Sequence, residues 1–253
     1  MIELNQVSGG YNGKPQLFDI SMKIPDGEIT AIIGPNGCGK STLLRMICGL
    51  QKPYGGEIKI DEKSIDAFDA KELAKLVSFL PQSRNIPDIR VESLVLHGRF
   101  PYMGYPRRYR AEDREKAREA LAWAGVLSLA DRAVAELSGG ERQKVYIAML
   151  LAQGTRIVLM DEPTSYLDIS QKFEVIRLAK QMKAEGKTVV LVLHDLDLAL
   201  SCSDRVALME TGRLRDFGTP DQIFASGALE EVFGVRVQRI ALEQNTQYVF
   251  RPV

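Results

Sequence analysis

Cysteine is scarce in this sequence: Cys38, Cys48 and Cys202 are dispersed among 253 residues, and no Cys-x-x-Cys pair occurs. An odd number of scattered cysteines excludes a disulfide framework and a cysteine-based zinc site, and it is typical of proteins in a reducing cytosol. Histidine is rarer still, with two residues, so the position of each histidine is informative.

An excess charge, a long apolar run and an export signal are lacking as well. Lysine plus arginine and aspartate plus glutamate number 33 each, so no overall basic field indicates a nucleic-acid partner. No apolar run approaches the roughly 20 residues that cross a bilayer. The first residues lack the basic-then-apolar order of a signal peptide. The composition predicts a soluble chain that reaches a membrane only through partners and binds no nucleic acid.

One segment matches the phosphate-binding pattern G-x-x-x-x-G-K-[ST] at every position: Gly34, Pro35, Asn36, Gly37, Cys38, Gly39, Lys40 and Ser41. A strand-like run precedes it at 28–33, and a helical run follows it at 41–48. The glycines allow successive backbone amides to face a phosphate. Lys40 is predicted to contact the β- and γ-phosphates, and the Ser41 hydroxyl is predicted to bind Mg²⁺. Cys38 is either a spacer in this loop or an oxidation sensor.

A second glycine motif lies in mid-chain at the start of a predicted amphipathic helix: Leu137, Ser138, Gly139, Gly140 and Glu141. Ser138 and Glu141 fit a capping box, which by itself only begins a helix. Exposed amides at a helix N-terminus also form an anion site. The complete phosphate loop upstream favours the second interpretation.

Polar residues follow three strand-like apolar runs. Asp161 and Glu162 end one of them, His194 ends the next, and Gln82 follows residues 76–81. Ligands bind at the carboxyl ends of strands in open α/β sheets. Asp161 is predicted to hold Mg²⁺ through water, and Glu162 to orient or deprotonate the attacking water. Gln82 could reach the Mg²⁺ or that water, and His194 is either a γ-phosphate contact or a structural histidine.

The pattern of elements predicts a single α/β domain over 1–253. Short strands occupy the first 30 residues, with a turn at Gly9-Gly10 followed by Tyr11, Asn12 and Gly13. Tyr11 either stacks on an adenine or is an ordinary strand-end aromatic. Residues from roughly 85 to 150 are helical, and a helix at 169–184 between apolar runs indicates a parallel sheet. A hairpin, a short helix and further strands are predicted over 205–253.

In this order the motifs resemble the nucleotide-binding subunit of an ABC transporter. The Walker A loop covers 34–42, which adds Thr42 to the ATP contacts, and Gln82 is the Q-loop glutamine. The signature is 137–141, Asp161 and Glu162 are the Walker B carboxylates, and the D-loop is 165–168 with Asp168. His194 matches the switch histidine, and Tyr11 the adenine-stacking aromatic. Glu141 stands where many members have glutamine, and Tyr166 where a small residue is commoner.

The resemblance implies a P-loop NTPase fold with a RecA-like core, an N-terminal antiparallel β subdomain and an inserted helical subdomain. It also implies ATP and Mg²⁺, with Ser41, Gln82 and Asp161 around the metal, Glu162 as the base and His194 as a γ-phosphate sensor. ATP would lie between one copy's Walker A loop and the signature of a second copy.

The segments 37–39, 95–102 and 164–169 resemble importers of the iron-siderophore, haem and cobalamin type. The resemblance implies that two copies of the subunit form a homodimer on the cytoplasmic face of the cell membrane. Its partners are two copies of a polytopic permease, faced by residues 82 to about 106, and an extracytoplasmic substrate-binding protein. The basic run at 106–110 is either a solvated face or a contact with lipid or a partner.

Two alternatives remain at this point. A soluble, non-transport ABC ATPase of the cluster-assembly type would carry the same motifs. A P-loop kinase would carry the phosphate loop, but it leaves the Ser-Gly-Gly segment unexplained.

Overall fold

The computed structural model describes residues 1–11, 13–82, 84–241 and 246–253. The strands in these ranges are β1 Ile2–Tyr11, β2 Lys14–Ile24, β3 Ile29–Ile33, β4 Gly55–Ile60, β5 Lys63–Ser64, β6 Val77–Leu80, β7 Ile157–Asp161, β8 Thr188–Val192, β9 Arg205–Glu210, β10 Arg213–Gly218, β11 Val235–Ala241 and β12 Thr246–Pro252. The α-helices are α1 Lys40–Ile47, α2 Ala70–Leu76, α3 Val91–Leu96, α4 Ala111–Trp123, α5 Gly139–Gln153, α6 Ile169–Ala184, α7 Leu196–Cys202, α8 Pro220–Ala225 and α9 Ala228–Phe233.

A six-stranded sheet in the order β10-β9-β3-β8-β7-β6 forms the centre of the fold. Its strands from β9 to β6 are parallel, and β10 pairs antiparallel with β9 at the edge. The connections between parallel strands run through helices, as parallel pairing requires. The predicted α/β fold with a phosphate loop after its first parallel strand is confirmed.

Both faces of this sheet are buried because successive side chains of a strand point to opposite sides. Val158 and Met160 of β7 belong to one apolar core, which the helices α3 to α7 share. Ile157 and Leu159 of the same strand belong to the other core, which contains α1 and the N-terminal strands. The sheet therefore separates a helical layer from an antiparallel β layer.

The N-terminal antiparallel sheet has the order β2-β1-β4-β5. The turn predicted at Gly9-Gly10 is wrong, because both glycines lie within β1 and pair with β2 across register shifts. A Cβ on Gly10 would lie 2.0 Å from the Lys14 carbonyl oxygen. The glycine therefore permits close strand pairing in a bulged region rather than reversing the chain. The chain reverses between Tyr11 and Lys14, and Asn12 lies outside the described residues.

The helices of the predicted insertion pack on each other, with α3 and α4 both against α5. Within the insertion, residues His97–Tyr102 form a 3-10 turn. Helix α2 precedes the insertion and was not predicted from the sequence; a capping box between Asp69 and Glu72 begins it. Near the other end of the chain, α8 and α9 precede the β11-β12 hairpin. Within the described ranges, no helix has both the length and the apolar character to span a bilayer.

Candidate nucleotide site

The carboxyl ends of four parallel strands bring the predicted catalytic residues to one edge of the sheet. The phosphate loop follows β3, Gln82 follows β6, Glu162 follows β7, and His194 follows β8. These segments surround an open cavity of about 770 Å³. Its lining consists of Gln16, Asn36, Gly37, Gly39, Lys40, Ser41, Thr42, Gln82, Glu162, Ser165, Tyr166 and His194.

Left-handed glycines shape the phosphate loop. Gly37 and Gly39 have φ angles of +79° and +96°, and a Cβ on Gly39 would lie 2.4 Å from Leu17 Cδ2. The Lys40 ammonium donates hydrogen bonds to the carbonyl oxygens of Gly34, at 2.7 Å, and Pro35, at 3.0 Å. The buried lysine is thereby held inside the curl of the loop, where a phosphate anion would lie close to its charge.

Ser41 and Asp161 form an oxygen-rich pair at the base of the cavity. The Ser41 hydroxyl donates to Asp161 Oδ1 at 3.0 Å. Burial raises the pKa of the Asp161 carboxyl, the nearby Glu162 charge adds to the rise, and the Ser41 hydrogen bond opposes it. A hydroxyl and a carboxylate are ligands that suit Mg²⁺, which takes its remaining ligands from water and phosphate oxygens. The donor set therefore fits the predicted ion.

Three side chains hold the Glu162 carboxylate. The Gln82 amide donates to Oε2 at 2.5 Å, the Ser165 hydroxyl donates to the same oxygen at 2.8 Å, and His194 Nε2 contacts Oε1. Glu162 has a φ of +49°, a left-handed conformation that is strained for a residue with a side chain. The strained backbone turns this carboxylate into the cavity while Asp161 stays buried in the strand.

Three lining residues had no functional role in the sequence analysis: Gln16, Ser165 and Tyr166. Gln16 projects from β2, and its amide oxygen accepts a hydrogen bond from the Thr42 hydroxyl at 3.0 Å. No local pattern distinguishes Gln16 from other polar strand residues. Ser165 lies in the recognised 165–168 segment, and its position three residues after Glu162 in a turn is a signal that could have indicated the contact.

Other predicted residues lie away from the described lining of the cavity. Tyr11 is half-buried at the end of β1. Asp168 caps α6 by accepting the Gln171 amide hydrogen at 2.8 Å. Cys38 is buried within the loop, and burial raises the pKa of its thiol. Because the thiolate is the reactive form, this environment favours the spacer interpretation over an oxidation sensor.

The signature residues lie at a separate surface. Ser138 caps α5 in a full capping box with Glu141, and hydrogen bonds from the Ser138 amide and hydroxyl lower the pKa of Glu141. Leu137 is buried in the core. A Cβ on Gly139 would meet nothing within 4 Å, whereas one on Gly140 would press on Gln171. Of the two glycines, Gly139 therefore presents the open backbone.

Comparisons with known proteins agree with this geometry. A family model described as ABC transporter matches residues 17–165. The chain belongs to the ABC transporter family. The probable siderophore transport system ATP-binding protein YusV of Bacillus subtilis (strain 168) is 39% identical over 239 residues, which are 94% of this chain and 87% of YusV.

Two further comparisons extend the family assignment. The ferric enterobactin transport ATP-binding protein FepC of Escherichia coli (strain K12) is 40% identical over 91% of this chain and 86% of its own. The dimeric structure of the bacterial ABC transporter cassette MJ0796 superposes with a TM-score of 0.76 at 32% identity, covering 87% of this chain and 99% of that one. This ABC protein binds ATP, and it hydrolyses ATP to power transport.

Proposed function

We propose that the chain is the ATPase subunit of an importer for an iron chelate. The arrangement of Glu162 carries the catalytic part of this proposal: its carboxylate lies in the cavity of the phosphate loop, held by three polar partners. The importer part rests on relatives near 40% identity that are named for siderophore and ferric enterobactin transport. Haem and cobalamin are the other cargoes that the resemblance of the sequence implies.

The residues divide the work of hydrolysis between binding and proton transfer. Lys40 and the loop amides bind the β- and γ-phosphates. Ser41, Asp161 and Gln82 would hold Mg²⁺, which neutralises phosphate charge when bound. Glu162 accepts the proton of the attacking water, and His194 orients Glu162 and senses the γ-phosphate.

One chain supplies only half of the complete site in this proposal. Ser138 and Gly139 are exposed, and the signature lines a different cleft from that of the phosphate loop. A second copy in a two-fold arrangement would place its signature over the first copy's ATP, since each surface meets the other in an isologous dimer. Asp168 lies in the sequence between Tyr166, which lines the ATP cavity, and Gln171, which lines the signature cleft, and it would act across this interface. Tyr11 would stack on the adenine.

The assembly that follows from this proposal includes more than the dimer. The dimer would sit at the cytoplasmic face of the membrane and bind two copies of a permease through residues 82 to about 106. An extracytoplasmic binding protein would select the chelate. Loss of the γ-phosphate charge after hydrolysis would release the dimer and reset the permease.

Mixing two inactive variants tests the shared site. Lys40→Ala removes a phosphate contact in its own copy, and Ser138→Arg blocks the contact made to the partner. In a mixed dimer, both defects fall in one site and the other site is intact. We expect each variant alone to be inactive, and an equal mixture to recover about a quarter of the wild-type ATPase rate.

A control and a contradicting outcome complete the test. The Lys40→Ala,Ser138→Arg double variant mixed with an inactive single variant has no intact site and should recover nothing. An equal mixture of the two single variants that stays inactive contradicts the shared site. Transport is tested separately, by asking whether the chain co-purifies with a polytopic membrane protein and supports uptake of ferric siderophore.

A further inference from the structure

Two side chains from a distant segment hold the end of strand β1, which carries Tyr11. Gln51 Nε2 donates a hydrogen bond to the Gly10 carbonyl oxygen at 2.8 Å. The Gly13 amide donates to the Tyr54 hydroxyl oxygen at 3.1 Å. One contact therefore lies immediately before Tyr11 in the sequence, and the other lies two residues after it.

The pairing of β1 with β2 does not by itself hold this strand end firmly. Register shifts interrupt the pairing at three places before Tyr11, and the last of them lies between Gly9 and Gly10. Gly10 is paired with Pro15, which has no N–H to donate. The Gln51 amide therefore gives the Gly10 carbonyl a hydrogen bond that Pro15 cannot give.

The segment with these two side chains is attached to α1, the helix that begins in the phosphate loop. The backbone amide of Gln51 donates to the Arg45 carbonyl oxygen at 3.1 Å, in the last turn of α1. Strand β1 also packs closely on this helix, because a Cβ on Gly9 would lie 2.2 Å from Met46 Cε. The helix thus connects the phosphate loop to the backbone on both sides of Tyr11.

This connection matters for a ligand that occupies both places. A nucleotide bound by its phosphates can stack its base on Tyr11 only if the ring lies at a suitable distance from the phosphate loop. Holding the ring there before binding lowers the conformational entropy that is lost when the nucleotide binds. Stacking of a base on an aromatic side chain contributes strongly to affinity, so its loss is measurable.

We infer that Gln51 and Tyr54 are positioning residues for the adenine of ATP. They hold the backbone around Tyr11, and thereby keep its ring in place beside the base. The inference rests on the proposed function, because it requires Tyr11 to stack on adenine. It adds two residues outside the described lining of the cavity that determine how much the base contributes to the affinity for ATP.

Two conservative variants test this. Tyr54→Phe removes only the hydroxyl, and Gln51→Leu removes the amide donor at nearly the same size. We expect each variant to raise the KM for ATP about threefold with kcat unchanged, the size of effect that one hydrogen bond gives, and the double variant to raise it about tenfold. Gln238→Leu, at an exposed glutamine of β11, is the matched control and should leave KM unchanged.

Tripolyphosphate separates positioning of the base from general damage to the site, because it has the three phosphates of ATP and no base. Its inhibition constant in the steady-state ATPase assay should be the same in the wild type and in the Gln51 and Tyr54 variants. If these variants lose affinity for ATP and for tripolyphosphate equally, the phosphate loop itself is disturbed and the inference is wrong.

Tyr11→Ala serves as the reference for complete loss of stacking, and it should raise the KM for ATP more than the double variant does. If Tyr11→Ala raises this KM and the Gln51 and Tyr54 variants do not, the inference is wrong and the stacking role of Tyr11 stands. If Tyr11→Ala leaves the KM unchanged, the proposed stacking fails, and the inference fails with it.

Discussion

Asp161 and Glu162 are adjacent carboxylates with different partners, and this contrast separates their roles. Asp161 is buried at the end of β7 and accepts a hydrogen bond from the Ser41 hydroxyl. Burial raises the pKa of its carboxyl. Glu162 is turned into the cavity by its left-handed backbone and is held by polar side chains. A buried, anchored oxygen suits cation binding, and a carboxylate within reach of the cavity suits proton transfer.

The raised pKa of Asp161 gives a prediction about stability. The folded state holds this proton more tightly than the unfolded chain, so ionisation of Asp161 lowers stability at pH values above the raised pKa. Asp161→Asn should therefore raise the melting temperature at pH 7.5 by roughly 2–4 °C, the shift made by ~1 kcal/mol in a chain of this size. The same change should abolish Mg²⁺-dependent ATPase activity.

The gain from Asp161→Asn should shrink as the pH falls toward the ordinary aspartate range, where the wild-type carboxyl is protonated in both states. Melting curves at several pH values without nucleotide measure this. Asp131→Asn, at an exposed carboxylate, should leave the melting temperature within 1 °C on the same scale. A gain that is equal at all pH values would show that the charge of Asp161 is not its source.

At the scale of elements, different hydrogen bonds hold the two ends of helix α5. Its first turn is capped by Ser138 and Glu141. Its last turn lies against the 3-10 turn at 97–102: Arg99 donates to the Ala152 carbonyl at 2.9 Å, and the Tyr102 hydroxyl donates to that of Gln153 at 2.9 Å. These bonds satisfy carbonyls that a helix end leaves unpaired. The 3-10 turn therefore determines where the signature helix sits.

Two glycine-to-alanine changes, one in the 3-10 turn and one in α5, separate packing from function. A Cβ on Gly98 would lie 2.3 Å from the Met149 carbonyl oxygen, so Gly98→Ala must push the turn away from α5. We expect Gly98→Ala to destabilise the fold by roughly 1–3 kcal/mol. Gly139→Ala meets open space and should keep the stability, because alanine favours a helix. It should nevertheless reduce ATPase activity, by covering the surface proposed to meet ATP in the partner copy.

Chemical denaturation and steady-state ATPase assays of both variants test this pair. Full ATPase activity of Gly139→Ala at saturating ATP would contradict a close contact at that backbone. Unchanged stability of Gly98→Ala would show that the turn is not held tightly against α5.

At the scale of the whole molecule, the ATP cavity opens beside a surface that is suited to a second copy. Tyr166 lines the cavity, is 99% exposed and has a left-handed φ of +63°. A large aromatic residue held fully in solvent by a strained backbone is typical of an interface residue. The unusual tyrosine of this D-loop is thus a structural feature of the proposed dimer interface.

Tyr166→Asp should weaken the ATP-dependent dimer by about tenfold or more, because tyrosines at interface centres contribute strongly to binding. Sedimentation velocity with ATP in the Glu162→Gln background, in which hydrolysis is expected to stop, measures the dimer directly. Tyr105→Asp provides a matched control, since Tyr105 is equally exposed but lies outside the cavity lining. Equal weakening by both changes would remove Tyr166 from the interface.

The sequence by itself determined the motifs and the layers of the sheet, because both are local patterns. Residues only a few positions apart define each motif: the phosphate loop, the two carboxylates and the capped signature helix. Apolar runs predict the strands that are buried on both faces. Tertiary structure decided what meets at the site. Gln16 of the N-terminal sheet contacts Thr42 of helix α1. Gly9 and Gly10 pair within a strand and do not form the predicted turn. These contacts join distant segments, so they depend on the packing of the sheets and not on any pattern along the chain.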